Sequence, residues 1–265
     1  IRKINEELKQ AKEMSGTDFL TGIKNRKGLS DALYIFSDDV QRAGETVEET
    51  EINKSEFLQK NGVLVMADIN DFKIINDTLG HPKGDEILKK VSKLFNECFR
   101  GTDDKSRLVE EENEEEEKKE ASQSRYGGDE FLILLPPNER TEGKIVTQEE
   151  IVTVLENRLL NLLSKEEYKD FTLSVSILSF NIGDLLQSVQ FSENESRREI
   201  VKKQIEKIIE GPLDKKLYEA KALAEDKRTN SIKPNTILTG TVNFAELKDV
   251  SQSPQPNSPL SEVQP

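Results

Sequence analysis

Hydrophobic positions along this chain fall into alternating helical and extended patterns. Ile1, Ile4, Leu8 and Ala11 recur at three–four spacing among charged residues. That spacing predicts the end of an amphipathic helix, either packed on its own domain or entering as a coiled-coil linker. Gly16, Thr17 and Asp18 interrupt it. A second helix is predicted over residues 26–36, after the turn and cap residues Thr21, Gly22 and Asn25. Residues 37–60 are polar and acidic and read as an insertion or an extended helix end.

Residues 63–69 form a short, continuous, largely β-branched apolar run, the pattern of a central strand buried on both faces. Asp68 lies at its C-terminal end, where open α/β sheets place ligands. A turn or two of helix follows over residues 72–77, then a loop with strong breakers at Gly80, Pro82 and Gly84. Asp85 is expected to open the next helix, whose face carries Ile87, Leu88, Val91, Leu94, Phe95, Cys98 and Phe99. Asp71 or Asn70 suits the cap of the preceding helix.

Residues 124–135 read as two short strands joined by a Gly127-Gly128 turn and stopped at Pro136-Pro137. Residues 151–163 predict a helix. Residues 171–177 alternate with period two, predicting a strand with one packed face and one small polar face. A charged helix is expected over residues 193–210, and Pro212 is placed to start another. The order is helix, strand, helix, hairpin, helix, strand, helix. It predicts an α/β or α+β domain with a mostly antiparallel central sheet flanked by helices.

Composition changes this picture at the margins. Hydrophobic and charged residues each make up 34% of the 265, so part of the chain is solvated insertion or tail. Residues 110–120 are mostly glutamate, with no apolar face, and read as a solvated loop or flexible helix; residues 249–265, rich in Ser, Pro and Gln, read as disordered. A net charge of −13 excludes broad nucleic-acid binding. No apolar run reaches membrane-spanning length and no signal peptide is visible. With Cys98 as the only cysteine no internal disulfide can form, which points to a reducing, cytoplasmic setting. The single histidine, His81, excludes a multi-histidine metal site, so a metal would need oxygen ligands, as Mg²⁺ or Mn²⁺ does. The start at Ile1 reads as a piece of a longer protein.

Chemistry concentrates in three acids. Asp129 and Glu130 directly follow the glycine pair and precede a buried strand. Alone, they read as water-facing turn acids. If the hairpin neighbours the Asp68 strand, the three carboxylates converge on one sheet edge, where a divalent cation relieves their repulsion. A metal held so can bridge carboxylates to the phosphates of a nucleotide. The glycines would let that nucleotide approach the backbone.

These residues resemble the GGDEF family of diguanylate cyclases. Arg125-Tyr126-Gly127-Gly128-Asp129-Glu130-Phe131 reproduces its signature. Asp18-Phe19-Leu20-Thr21-Gly22 with Asn25-Arg26 resembles its entry motif. Asp68-Ile69-Asn70-Asp71-Phe72-Lys73, Asn76-Asp77, Gly80-His81 and Gly84-Asp85 follow the pattern around its first metal-binding acid. Asp214, Leu217-Tyr218 and Ala220-Lys221 resemble its closing helix. Several separated motifs stand in the family's order over residues 17–232.

The resemblance implies a nucleotidyl-cyclase-like palm with a central, mostly antiparallel five-stranded sheet. It implies condensation of two GTP into cyclic di-GMP with release of two pyrophosphates, by a homodimer whose protomers face each other. Asp129 and Glu130 would be catalytic. Asp68, the Ile69 carbonyl, Asp129 and Glu130 would hold Mg²⁺ or Mn²⁺. Phe72, Lys73, Asn76, Asp85, Gly127, Gly128, Lys221 and Arg228 would bind substrate, with Asn76 and Asp85 on the guanine base. The alternative is a non-catalytic regulatory domain binding GTP or a cyclic dinucleotide. A cyclase making mixed dinucleotides is disfavoured by Asp85, since a carboxylate there suits guanine.

In this reading residues 1–16 are a linker helix from an upstream sensory domain. Residues 17–232 are the catalytic domain, with insertions near 37–60, 104–123 and 183–210, and residues 233–265 a largely disordered extension. Two features depart from the family. Lys221 is not followed by the usual Gly-Arg-Asn, which leaves Arg228 as the candidate phosphate arginine, and Ser176 is followed by Ile177 rather than glycine. An Arg-x-x-Asp product-inhibition site is absent immediately before the hairpin, where Lys118-Lys119-Glu120-Ala121 stands. Arg100 and Asp103 have that spacing upstream of the glutamate run and, if that insertion loops out, are the candidate product-inhibition site; otherwise they are a helix-ending arginine and a turn acid.

Overall fold

Strand β1 (Asn61–Ile69) runs through the middle of the domain, with a neighbouring strand on each side. The structure is a computed structural model and describes residues 15–45, 58–100, 121–137, 147–191, 194–228, 234–245 and 247. Helix α1 (Arg26–Glu45) precedes β1; α2 (Phe72–Leu79) and α3 (His81–Arg100) follow it. Strands β2 (Ser122–Arg125) and β3 (Glu130–Leu135) form the hairpin, and α4 (Gln148–Leu163) leads to β4 (Leu173–Asn181). Then come α5 (Ile182–Ser188), α6 (Arg197–Ile208), a π-helical turn (Ile209–Leu213), α7 (Asp214–Asp226) and β5 (Thr236–Thr241). The sheet order is β2-β3-β1-β4-β5, antiparallel except for the parallel β4–β5 pair. This is the expected five-stranded, mostly antiparallel α+β architecture.

Both faces of the sheet are covered, which explains the unbroken apolar run of β1. Val63, Val65, Ala67 and Ile69 point with Phe131, Ile133, Val175 and Ile177 into one core, closed by α3 and α4. Leu64 and Met66 point with Leu132, Leu134, Leu178 and Phe180 into the other, closed by α1, α6 and α7. Fully buried side chains such as Phe95, Phe131 and Phe180 each contribute roughly 1.5–3 kcal/mol of burial free energy. The strand that carries Asp68 is thus clamped from both sides before any charge is considered.

Several elements differ from the sequence pattern for identifiable reasons. Helix α1 runs on to Glu45, because Phe36 and Val40 continue its buried stripe past the polar positions, so the first part of 37–60 is helix end. Helix α3 opens at His81, not Asp85; Pro82 fits its first turn, where an amide has no intrahelical partner. Strand β4 is buried on both faces, with Ser174, Ser176 and Ser179 fully enclosed. Small serines look solvent-facing in sequence, but here they lie under packed helices.

Pro212 does not start a helix. It sits inside the π-helical turn, which joins α6 to α7, and the wider turn accommodates a residue lacking an amide hydrogen. Residues 236–241, assigned by composition to a disordered extension, form β5 and complete the sheet. A parallel neighbour needs a long crossover, and α5, α6 and α7 supply it. The Ile1–Ala11 helix, the glutamate run and residues 249–265 lie outside the described residues.

Candidate active site

Period-two alternation carries Leu64, Met66 and Asp68 on one face of β1. Asp68 pairs with Glu130 in the β1–β3 register, so two acids stand directly opposite each other at the sheet edge. Like charges so placed repel. Helix α7, packed over this face, brings Lys221 to them: its Nζ lies 2.8 Å from Asp68 Oδ2 and 4.0 Å from Glu130 Oε1. Asp129 joins through its backbone, its carbonyl accepting the Ile69 amide at 3.3 Å. Burial raises the Asp68 carboxyl above the ordinary carboxylate value; Asp129 and Glu130 push the same way, and the Lys221 hydrogen bond pulls against them.

The hairpin does not use its glycines as expected. Positive φ among the described glycines occurs at Gly16, Gly22 and Gly80, not at Gly127 or Gly128. Residues 126–129 separate the strands, with the Tyr126 and Gly127 amides both donating to the Glu130 carbonyl, at 2.8 and 3.2 Å. The constraint on Gly127 is closeness: a Cβ there would lie 2.5 Å from Glu130 Oε2. A side chain there would have to displace the Glu130 carboxylate, which folds back over the turn.

Arg125 and Asp18, to which the sequence reading gave no role, hold this turn. The Arg125 guanidinium donates from Nε and Nη2 to the Gly128 carbonyl, at 3.0 and 2.6 Å, and from Nη1 to Asp18 Oδ2 at 3.3 Å. The other Asp18 oxygen accepts from the Thr21 amide and hydroxyl, at 2.9 and 2.6 Å. The Asp-x-x-Thr spacing was the available signal, since an Asp side chain commonly fixes its own turn. Asn70, which the sequence offered as a helix cap, is instead a buried pin. Its amide donates to Thr172 Oγ1 and the Pro234 carbonyl, and its carbonyl oxygen accepts from Ser174 Oγ.

Between β1 and α2, Asp71 takes a left-handed conformation with φ 57°. It stands at the N-cap but makes no capping bond with its side chain. Its carboxylate instead receives Arg228 Nη2 at 3.2 Å, and the same guanidinium nitrogen reaches Glu225 at 2.8 Å. Arg228 therefore stands beside the turn that leads to the Phe72 and Lys73 amides. On α2, Asn76 packs against Gly84 of α3, the residue that precedes Asp85. Arg100 closes α3, but its side chain and Asp103 lie outside the described residues.

Among the described residues, no three His, Cys, Asp or Glu side chains are gathered closely enough to hold a metal unaided. The donor set nevertheless fits a hard divalent cation. Asp68 and Glu130 already share a cationic group, the Lys221 ammonium, and Mg²⁺ is commonly held by one or two carboxylates completed by phosphates and water.

The mixed five-stranded sheet, flanked by helices and bearing facing carboxylates at one edge, defines an α+β domain. Residues 15–112 match the family described as "Diguanylate cyclase, GGDEF domain". It is 28% identical over 222 residues to diguanylate cyclase A of Treponema denticola, covering 84% of this chain and 46% of that protein. It is 33% identical over 103 residues to diguanylate cyclase DosC of Escherichia coli, covering 39% of this chain and 19% of that protein. The chain thus spans less than half the length of either relative. Among solved structures, the coiled coil and GGDEF domain of DgcB from Caulobacter crescentus in complex with c-di-GMP is 20% identical. It has a TM-score of 0.48, with 89% of this chain and 93% of that one covered. Among the described residues no helix is long and apolar enough to cross a membrane.

Proposed function

We propose that this chain is the catalytic domain of a cytoplasmic diguanylate cyclase, condensing two GTP into cyclic di-GMP and two pyrophosphates as a face-to-face homodimer. The observation that carries the reading is the in-register pairing of Asp68 with Glu130 under Lys221. An isolated pair of facing acids has no structural benefit, whereas a pair that shares a cation with a phosphate-bearing substrate does.

Asp68, Asp129 and Glu130, with the Ile69 carbonyl, would hold Mg²⁺ or Mn²⁺. When bound, the ion would neutralise phosphate charge and favour attack at the α-phosphorus. Lys221 would turn from Asp68 to the phosphates. The first-turn amides of Phe72 and Lys73 face outward from a helix N-terminus, which suits phosphate oxygens, and Arg228 stands beside them. Gly127 and Gly128 keep the approach open. Asp85 would accept from the guanine N1–H and exocyclic amine, and the Asn76 amide would donate to an acceptor on the base. A carboxylate of the hairpin pair would take the 3′-hydroxyl proton of a GTP brought by the second protomer. One protomer supplies one nucleotide, so turnover requires two copies.

A second reading, a regulatory domain that binds GTP or a cyclic dinucleotide without turnover, draws on one observation. Lys221 is not followed by Gly-Arg-Asn, and Arg228, the remaining candidate for the phosphates, is engaged by Asp71 and Glu225. Incubation of purified protein with GTP and Mg²⁺, with products separated by chromatography, decides between them. Formation of cyclic di-GMP supports the cyclase; GTP binding without product supports the regulator.

A further inference from the structure

Helices α2 and α3 meet at Gly80, whose φ of 84° turns the chain between them. The Gly80 amide donates to the Asn76 carbonyl at 2.9 Å, and the Gly80 carbonyl accepts from Lys83 at 3.1 Å. This fold-back lays the first turn of α3 against the side of α2 that carries Phe72 and Asn76. The contact is made at Gly84, which is buried although its neighbour Asp85 is exposed.

The fit there leaves no room for a Cβ unless Asn76 moves. A Cβ at position 84 would lie 2.1 Å from Asn76 Oδ1, 3.0 Å from Asn76 Cγ and 3.2 Å from Phe72 Cζ. Gly84 has an ordinary backbone φ, so conformational freedom does not demand glycine. What a side chain at position 84 would meet first is the Asn76 amide. The oxygen of that amide is the part nearest the bare backbone of α3, with Cγ behind it, so the NH₂ group is the end farther from Gly84.

We infer that Gly84 is a specificity-positioning residue. It presents the Asn76 amide, beside Asp85, for hydrogen bonding to the base of a guanine nucleotide. The inference rests on the proposed binding of guanine by Asn76 and Asp85. It adds that the geometry of this pair is set by a missing side chain on the facing helix. Because the obstructed atom is the end of a flexible side chain, a methyl group at position 84 displaces the amide before it displaces the helices.

The test uses the whole chain and 3′-deoxy-GTP, which occupies the site but has no 3′-hydroxyl with which to react, against 3′-deoxy-ATP. Binding is measured by calorimetry and folding by thermal melting. Gly84→Ala is expected to weaken 3′-deoxy-GTP binding about two- to tenfold, the loss of one hydrogen bond. Binding of 3′-deoxy-ATP should not change. Asn76→Ala should lose the same amount, and Gly84→Ala in the Asn76→Ala background should lose nothing further. If Gly84→Ala melts early, the double variant should recover the melting temperature of Asn76→Ala, because the obstructing amide is gone.

Unchanged 3′-deoxy-GTP affinity in Gly84→Ala, additive losses in the double variant, or a double variant that melts as early as Gly84→Ala would each overturn the inference. If Asn76→Ala weakens guanosine binding while Gly84→Ala does not, the guanine site stands and the role of Gly84 falls. A native chain with no preference for 3′-deoxy-GTP overturns both.

Discussion

The Lys221 ammonium sits 2.8 Å from Asp68, linking the last helix before β5 to the central strand. In this arrangement the lysine offsets the repulsion between Asp68 and Glu130, and it competes with any other cation for them. Lys221→Met is therefore expected to bind Mn²⁺ more tightly in the absence of nucleotide, because a competing charge is removed. The same variant should bind GTP more weakly. Titrations of Mn²⁺ alone and of GTP alone check both halves. Weaker binding of Mn²⁺ alone would show that the lysine supports the acids rather than competing for them.

Arg125 ties the Gly128 carbonyl to Asp18, so the entry turn and the acidic hairpin form one unit. Arg125→Ala is expected to lose about 1–3 kcal/mol of stability, the usual effect of removing hydrogen bonds from a charged group. Arg125→Lys should recover little, because an ammonium cannot reproduce the planar fork. Denaturant melts of Arg125→Ala, Asp18→Ala and the double variant should show coupling. Strict additivity would contradict the linkage.

Asp170 joins the start of β4 to α3 through Lys83 at 2.9 Å and Lys90 at 2.7 Å. Burial opposes its charge, but the hydrogen bonds from Lys90 and Lys83 outweigh that and hold its carboxyl below the ordinary value. A carboxyl lowered in the folded state stabilises the fold above its unfolded pKa, and the benefit is lost as pH falls through the folded pKa. Asp170→Asn should thus melt below the native chain at neutral pH, with the gap closing in acid. A gap independent of pH would mean that packing, not charge, sets the effect.

Cys98 is fully buried, and desolvation pushes its thiol up to about 12. The thiolate is the reactive form, so the folded protein should resist thiol reagents at pH 8 and react only on unfolding. Labelling followed across a denaturant titration should coincide with the unfolding curve. Rapid labelling of the folded chain would place Cys98 outside the core.

The parts of the site legible in the sequence were those fixed by short-range pattern. Asp68 closes an apolar run, and Asp129 and Glu130 follow a glycine pair, so their pairing needed only the assumption that hairpin and strand are neighbours. Strand β5 was hidden because Thr236–Thr241 is a short edge strand containing glycine, in a segment whose composition resembles a tail. The buried serines of β4 were misread because burial on a second face depends on helices far along the chain. Arg125, Asp18 and Gly84 were overlooked as functional because their roles lie in contacts between elements. The distance from Gly84 to Asn76 is a property of two packed helices, and no spacing along one chain encodes it.

The central claim is that Asp68, Asp129 and Glu130 serve a metal–nucleotide chemistry rather than the fold. Its most direct test is turnover of GTP with Mg²⁺ by the native chain and by Asp129→Ala and Glu130→Ala, each checked by thermal melting. The account predicts cyclic di-GMP from the native chain at high protein concentration, and a loss of roughly 100-fold or more in each variant with melting nearly unchanged. No product from a folded native chain, or variants that lose the fold along with the activity, would contradict it.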